Sequence, residues 1–156
     1  MTAGKGGDFD LQDFLPYLLN QAAEATSRGF QATYRSRYGL TRTQWRVMAN
    51  LGRFGAMTAR DICRISHIDK TKVSRAVAGM EADGLLSRAT SPEDRRVENL
   101  SLTGKGRAVF AEIGQRAQVF DADLRARLGP EVARQIDAIL REIIALQSDS
   151  TSPGDD

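Results

Sequence analysis

The side chains best suited to chemistry lie in one short run, Asp69-Lys70-Thr71-Lys72-Val73-Ser74-Arg75, which holds ammonium, hydroxyl and guanidinium groups side by side. On a helix, at about 100° per residue, Thr71, Ser74, Arg75, Ala78 and Ala82 fall on one side and Val73, Ala76, Val77 and Met80 on the other. The first of these sides is small, polar and basic, with no acid near its centre. A guanidinium forks onto the O6 and N7 atoms of guanine, and a hydroxyl donates or accepts at several bases. Arg75, Thr71 and Ser74 therefore suit the edges of bases, a task that needs short neighbours so that the backbone can approach. Lys70 and Lys72, beside the positive start of a helix capped by Asp69, suit phosphates. A second basic feature is Asp94-Arg95-Arg96, in a polar turn that opens with Ser91-Pro92-Glu93. Guanidinium groups at such a tip suit the negative potential of a minor groove.

Other chemistry has little support. The chain of 156 residues has one histidine, His67, and one cysteine, Cys63. A metal cluster rich in histidine and a catalytic pair of histidines are thereby excluded within one chain. There is no GxxxxGK[ST] loop, no GxGxxG after a strand, and no nucleophile with a base and an orienting group nearby. No enzyme and no cofactor are expected. Cys63 has no intrachain partner for a disulfide, which fits the reducing cytoplasm. No apolar run approaches the ~18 residues that span a bilayer, and residues 1–10 lack the pattern of a signal peptide. No contact with a membrane is expected.

The formal net charge of +2 conceals a strong asymmetry. Residues 1–27 net −3, residues 28–107 net +9 and residues 108–156 net −4. A basic middle between acidic ends fits a nucleic-acid-binding module flanked by elements with another task.

The elements that must position these residues follow from periodicity and caps. Leu15, Leu18, Leu19, Ala22, Ala23, Phe30 and Tyr34 mark a long helix from about Pro16 to Tyr38, ended by Gly39. Thr41 and Gln44 form a capping box for a second helix with Trp45, Val47, Met48 and Leu51 inward, stopping near Gly52 to Gly55. Thr58 caps a third helix, with Asp61 at its positive end, running to about Ser66. Asp69 caps a fourth, Lys70 to about Asp83, closed by Gly84. Leu85 to Thr90 and Arg96 to Leu102 are expected as two strands of a hairpin. Thr103 caps a fifth helix with Val109, Ile113, Ala117, Phe120, Leu124 and Leu128 in register. Gly129-Pro130 separates it from a last helix with Val132, Ile136, Ile139, Leu140 and Ile143. Three short helices followed by a basic hairpin make a winged helix-turn-helix, whose second member enters the major groove.

The sequence resembles the MarR-type (multiple-antibiotic-resistance regulator) winged-helix transcription factors. The resemblance rests on Tyr38-Gly39-Leu40-Thr41 with Gln44-Trp45-Arg46-Val47-Met48, then on the run Asp69 to Arg75. It continues through Met80-Glu81-Ala82-Asp83-Gly84-Leu85-Leu86-Ser87-Arg88, Asp94-Arg95-Arg96 and Leu100-Ser101-Leu102-Thr103-Gly104-Lys105-Gly106. No piece is specific alone; their order and separations over about residues 15–147 are.

The resemblance implies a mostly α fold with a small β-hairpin wing and a helical dimerisation region from the N- and C-terminal helices. It implies a homodimer on pseudo-palindromic double-stranded DNA, commonly a repressor released by a small organic effector. Lys70, Thr71, Lys72, Ser74 and Arg75 take base and phosphate contacts, Asp94 orients a wing arginine, and Arg95 or Arg96 enters the minor groove. The expected organisation is a tail over 1–10, the dimerisation region over 11–38 and 104–147, the winged helix over 39–103, and a tail over 148–156. Long helices with one apolar side also need a partner on physical grounds, and a two-fold pair sets two reading helices about 34 Å apart. The long first and fifth helices would join the dimer region to the DNA-reading lobe. A ligand between the lobes would act through its different affinity for two spacings of the reading helices.

Tyr34, Tyr38, Trp45 and Arg46 lie where the first helix meets the winged helix. They are candidates to line an effector site, with Arg35 or Arg46 receiving a carboxylate in a bidentate way. His67 is expected in a loop near the DNA or the effector cleft. Cys63 sits where packing wants a small residue and is expected to be a buried, inert thiol, with a redox-responsive regulator as the alternative. A winged helix used for protein contact, without DNA, is the remaining rival; such modules usually lack a basic, small-residue face.

Overall fold

A computed structural model describes residues 7–149. A 3₁₀ turn at Leu11–Asp13 precedes α1 (Leu15–Tyr38), α2 (Arg42–Phe54), α3 (Ala59–Ser66) and α4 (Lys70–Ala82). The hairpin β1 (Leu86–Thr90) and β2 (Glu98–Leu102) follows, then α5 (Gly104–Leu128) and α6 (Pro130–Asp149). The chain divides into two compact units, the first ending at Ile113 and the second starting at Gly114. Of the expected tails, 1–10 and 148–156, residues 1–6 and 150–156 lie outside the described residues, while α6 runs on through 148 and 149.

The caps explain why the helices start where they do. Thr41 Oγ accepts from the Gln44 amide at 3.1 Å while the Gln44 side chain accepts from Thr41 N at 3.0 Å. Thr58 and Asp61 close the same reciprocal box at the start of α3. Each box satisfies backbone donors that have no helical acceptor. Asp69 accepts from Lys72 N at 2.9 Å. Gly39 ends α1 at φ +66° and Gly84 follows α4 at φ +73°, left-handed conformations that glycine adopts without strain. The 3₁₀ turn was not expected; Asp10 capping Gln12 N at 2.9 Å accounts for it.

The core of the first unit is built round α4. Val73, Ala76, Val77 and Met80 are buried, as are Val47, Met48 and Leu51 of α2 and Ile62 of α3. Burying a Val or Met side chain contributes roughly 1.5–3 kcal/mol, so this stripe dictates which face α4 turns outward. The strands pair antiparallel with Leu86 opposite Leu102 and Thr90 opposite Glu98. They are shorter than the pattern suggested. Leu85 is a buried turn residue, and Arg96 sits in the hairpin turn, where Asp94 accepts from its backbone N–H at 3.0 Å. A stub of a third strand joins them, with Met57 N donating to Leu100 O at 3.0 Å and Leu100 N to Met57 O at 2.7 Å. The segment entering α3 is thereby tied to the wing.

The turn from α4 into β1 is knotted to the start of α5. Thr103 Oγ donates to Gly84 O at 2.6 Å and Lys105 Nζ to Asp83 O at 2.9 Å. Gly106 is buried, and a Cβ there would overlap the Leu85 carbonyl oxygen. In the second unit, Arg125 forks onto Asp137 at 3.0 and 3.1 Å and bonds Asp121 at 2.7 Å. α6 leaves Val132, Ile139 and Leu140 exposed.

Two outcomes test this account. Gly106→Ala should destabilise the protein by about 1–3 kcal/mol in urea unfolding, since backbone must shift to admit the methyl group. Glu24 on α1 holds Arg42 of α2 at 2.8 and 3.3 Å, and the Arg42 hydrogen bond and charge set its carboxyl pKa below the ordinary 4.5. A lowered pKa in the folded state stabilises above the ordinary value and is lost as pH falls through the folded one. Thermal unfolding followed from pH 7 to below pH 4 should show a shallower acid decline in Glu24→Gln than in the parent.

Candidate nucleic-acid interface

The buried stripe of α4 leaves Lys70, Thr71, Lys72, Ser74 and Arg75 all exposed on the opposite side. Ala78 and Ala82 extend that side without obstructing it. Lys70 and Arg75 pair with no carboxylate among the described residues, while Lys72 lies 3.9 Å from the capping Asp69. Apart from Lys72, the side-chain donors of this exposed turn of α4 have no acceptor among the described residues.

At the hairpin tip, the Asp94 carboxylate accepts from Arg96 Nε at 3.1 Å and Nη2 at 3.2 Å. These bonds, the side-chain ones first and the backbone one second, hold the Asp94 pKa below the usual carboxylate range. Arg96 is nevertheless 90% exposed, so it is aimed without being consumed. Arg95, next to it, makes no ion pair among the described residues. At the base of the hairpin, Arg88 is engaged between Glu81 at 3.2 Å and Glu98 at 3.3 Å. It braces the strands and is not a free cation.

The residues considered for an effector separate in the structure. Tyr34 is 2% exposed and stacks on Trp45 at 6.2 Å with 15° between the rings. Phe30 and Phe110 pack on Trp45 at 5.8 and 6.5 Å. Trp45 and Arg46 line a cavity of about 380 Å³ with Ala49, Asn50, Arg53, Phe54 and Ser66. Asn50 fixes one wall, donating to Arg46 O and Ser66 Oγ at 2.8 Å each. The Arg53 guanidinium lies 5.7 Å over the Phe54 ring. Tyr34 thus backs Trp45 and does not line the cavity.

Arg35 is exposed and outside that lining. The Tyr38 hydroxyl is buried without a well-formed hydrogen bond, and its pKa is raised by contact with Glu112, by burial and by the Glu112 charge. His67 is exposed and ends α3 in a left-handed conformation, φ +53°. It follows Ser66 but does not line the cavity. Cys63 is half-buried, more open than expected, because α3 is only eight residues long and its inner face is held by Ile62. α3 ends at Ser66, so Cys63 and His67 do not share a helix face. Among the described residues no group of three or more His, Cys, Asp or Glu is placed to hold a metal ion, and no helix is long and apolar enough to cross a membrane.

Residues 38–97 match the model of the MarR family. A solved MarR family transcriptional regulator from Silicibacter pomeroyi superposes with a TM-score of 0.79 at 30% identity, covering 90% of this chain and 99% of that one. The chain belongs to the MarR family. Another similar protein is the homoprotocatechuate degradative operon repressor of Escherichia coli, 29% identical over 93% of this chain and 99% of that one. The structure of Bordetella bronchiseptica BpsR, whose DNA binding is regulated by 6-hydroxynicotinic acid, matches at 26% identity with a TM-score of 0.76, over 94% of this chain and all of that one. The winged helix-turn-helix expected from the sequence is the fold of this MarR-family transcriptional regulator.

Sequence reasoning missed Arg53 and Phe54 as cavity residues. Phe54 is 57% exposed at the last turn of α2, and an arginine followed by an aromatic at the end of that helix was the available signal. It also missed Arg42, whose partner Glu24 lies in another helix. Asp69→Ala should cost about 0.5–2 kcal/mol of stability in urea unfolding through loss of the cap. A backbone-amide spectrum should place the largest change at Lys72 N.

Proposed function

We propose that this protein is a homodimeric, sequence-specific DNA-binding repressor of the cytoplasm, relieved by a small aromatic carboxylate. The observation that carries the reading is the exposed face of α4, where the side chains of Thr71, Ser74 and Arg75 have no acceptor among the described residues and Lys70 and Lys72 flank them. That face is held outward by a fully apolar inner stripe. Arg75, Thr71 and Ser74 read base edges in a major groove. Lys70 and Lys72 hold phosphates. Arg96, aimed by Asp94, enters the adjacent minor groove. Exposed Leu15 and Leu18 on α1 and Val132, Ile139 and Leu140 on α6 support pairing with a second copy, which sets two α4 helices on a pseudo-palindromic site.

The effector reading rests on the cavity beside Trp45, where an aromatic wall meets the guanidinium groups of Arg46 and Arg53, neither of which pairs with a carboxylate among the described residues. A ring stacks on such a wall while a guanidinium forks onto its carboxylate. The regulation of BpsR by 6-hydroxynicotinic acid and the aromatic-acid operon in the name of the Escherichia coli relative support this ligand class.

Selection of bound fragments from random duplex DNA by the purified protein tests the reading. A two-fold symmetric site is the expected result; recovery of no duplex would favour the protein-contact rival. On the recovered site, Arg75→Ala should lose about 1–3 kcal/mol of affinity and relax the preference at its base. An equal loss on cognate and scrambled duplexes would contradict its base-reading role. Trp45 is the one tryptophan of the chain, so its fluorescence reports the cavity. Titration with benzoate-type acids should change that signal saturably in the parent and far less in Arg46→Ala.

A further inference from the structure

A second cleft, of about 440 Å³, lies between the start of α3 and the wing, and Thr58, Ala59, Arg60, Arg95, Arg96 and Glu98 are among its lining residues. Its charges divide unevenly. Glu98 is engaged by Arg88, and Arg96 is forked onto Asp94. Neither Arg60 nor Arg95 pairs with a carboxylate among the described residues, and Arg60 is exposed. The Asp61 amide is taken by Thr58 Oγ at 3.1 Å. The amides of Ala59 and Arg60, in the first turn of α3, have no helical acceptor.

Met57, two residues before α3, is tied to the wing strand by paired hydrogen bonds with Leu100, 3.0 and 2.7 Å, which holds the two walls together. The cleft is therefore present before any ligand arrives, and its free groups are donors and cations. Arg96, which the DNA-binding reading places in a minor groove, lines the same cleft, so a duplex held there brings its backbone beside Arg60 and Arg95.

We propose that this cleft is a preformed seat for one phosphodiester of the DNA backbone, bracketed by Arg60 from α3 and Arg95 from the wing. This rests on the DNA-binding reading and adds Arg60, outside the reading helix, to the contacts. It leaves Arg96 to the minor groove and gives Arg95 a different task. Phosphate contacts position the protein and carry no sequence information themselves, so the signature is one of salt and not of specificity.

The experiment is fluorescence anisotropy with the selected duplex and a scrambled duplex across a range of potassium chloride concentrations, using the full chain. Each lost phosphate contact lowers the slope of log K against log salt by about one. Arg60→Ala and Arg95→Ala should each lower it by about that amount per protomer, on both duplexes alike. Arg60→Lys should keep most of the slope, and the double variant should lose less affinity than the sum of the two. A neutral methylphosphonate at the contacted position should erase the difference between Arg60→Ala and the parent. A steep parent slope that Arg60→Ala leaves unchanged, with folding intact by thermal melt, overturns this inference alone. Failure of the parent to bind any duplex overturns the DNA-binding reading itself. Arg60-dependent binding of inorganic phosphate with an unchanged DNA slope assigns the cleft to a free anion and also overturns the proposal.

Discussion

Everything at the proposed interface depends on the burial of one side of α4. Val73, Ala76, Val77 and Met80 fit against α2 and α3, and that packing leaves the helix no rotational choice. Turning α4 by one residue, about 100°, would bury Ser74 and expose Val73. The cost of an apolar group exposed and a hydroxyl buried without a partner fixes the azimuth of Arg75 as firmly as any contact Arg75 makes. The outward face can consequently be built wholly of groups that contribute nothing to folding. That freedom allows donors to remain unsatisfied until an external acceptor arrives.

Much of this was legible in the sequence because its determinants are local. The boxes at Thr41–Gln44 and Thr58–Asp61, the Asp69 cap and the glycines at 39 and 84 act within a few residues, and they sit where the spacing placed them. The two faces of α4 followed from periodicity for the same reason. The resemblance implied that Asp94 orients one of the two wing arginines, and the structure places the fork on Arg96.

What escaped the sequence reading joins parts far apart in the chain. The Met57–Leu100 bridge has no periodic signature, because a single paired residue shows no alternation. The Glu24–Arg42 pair spans two helices, and either residue alone looks like a solvated surface charge. The separation of Tyr34 from the Trp45 cavity depends on which ring stacks behind the other, a matter of packing in three dimensions. Cys63 was expected to be buried because it occupies a small-residue packing position, yet the side of α3 that meets the core is filled by Ile62 and Cys63 is left half-buried.

The knot between the end of α4 and the beginning of α5 has a mechanical meaning. Hydroxyl and ammonium donors from Thr103 and Lys105 grip successive carbonyls at Asp83 and Gly84, while the missing side chain of Gly106 lets the backbones touch. A joint made of short polar bonds and direct backbone contact has almost no slack. A tilt of the opening turns of α5 is passed to the C-terminal end of α4 as a crank passes torque, chiefly through the backbone contact of Gly106 with Leu85.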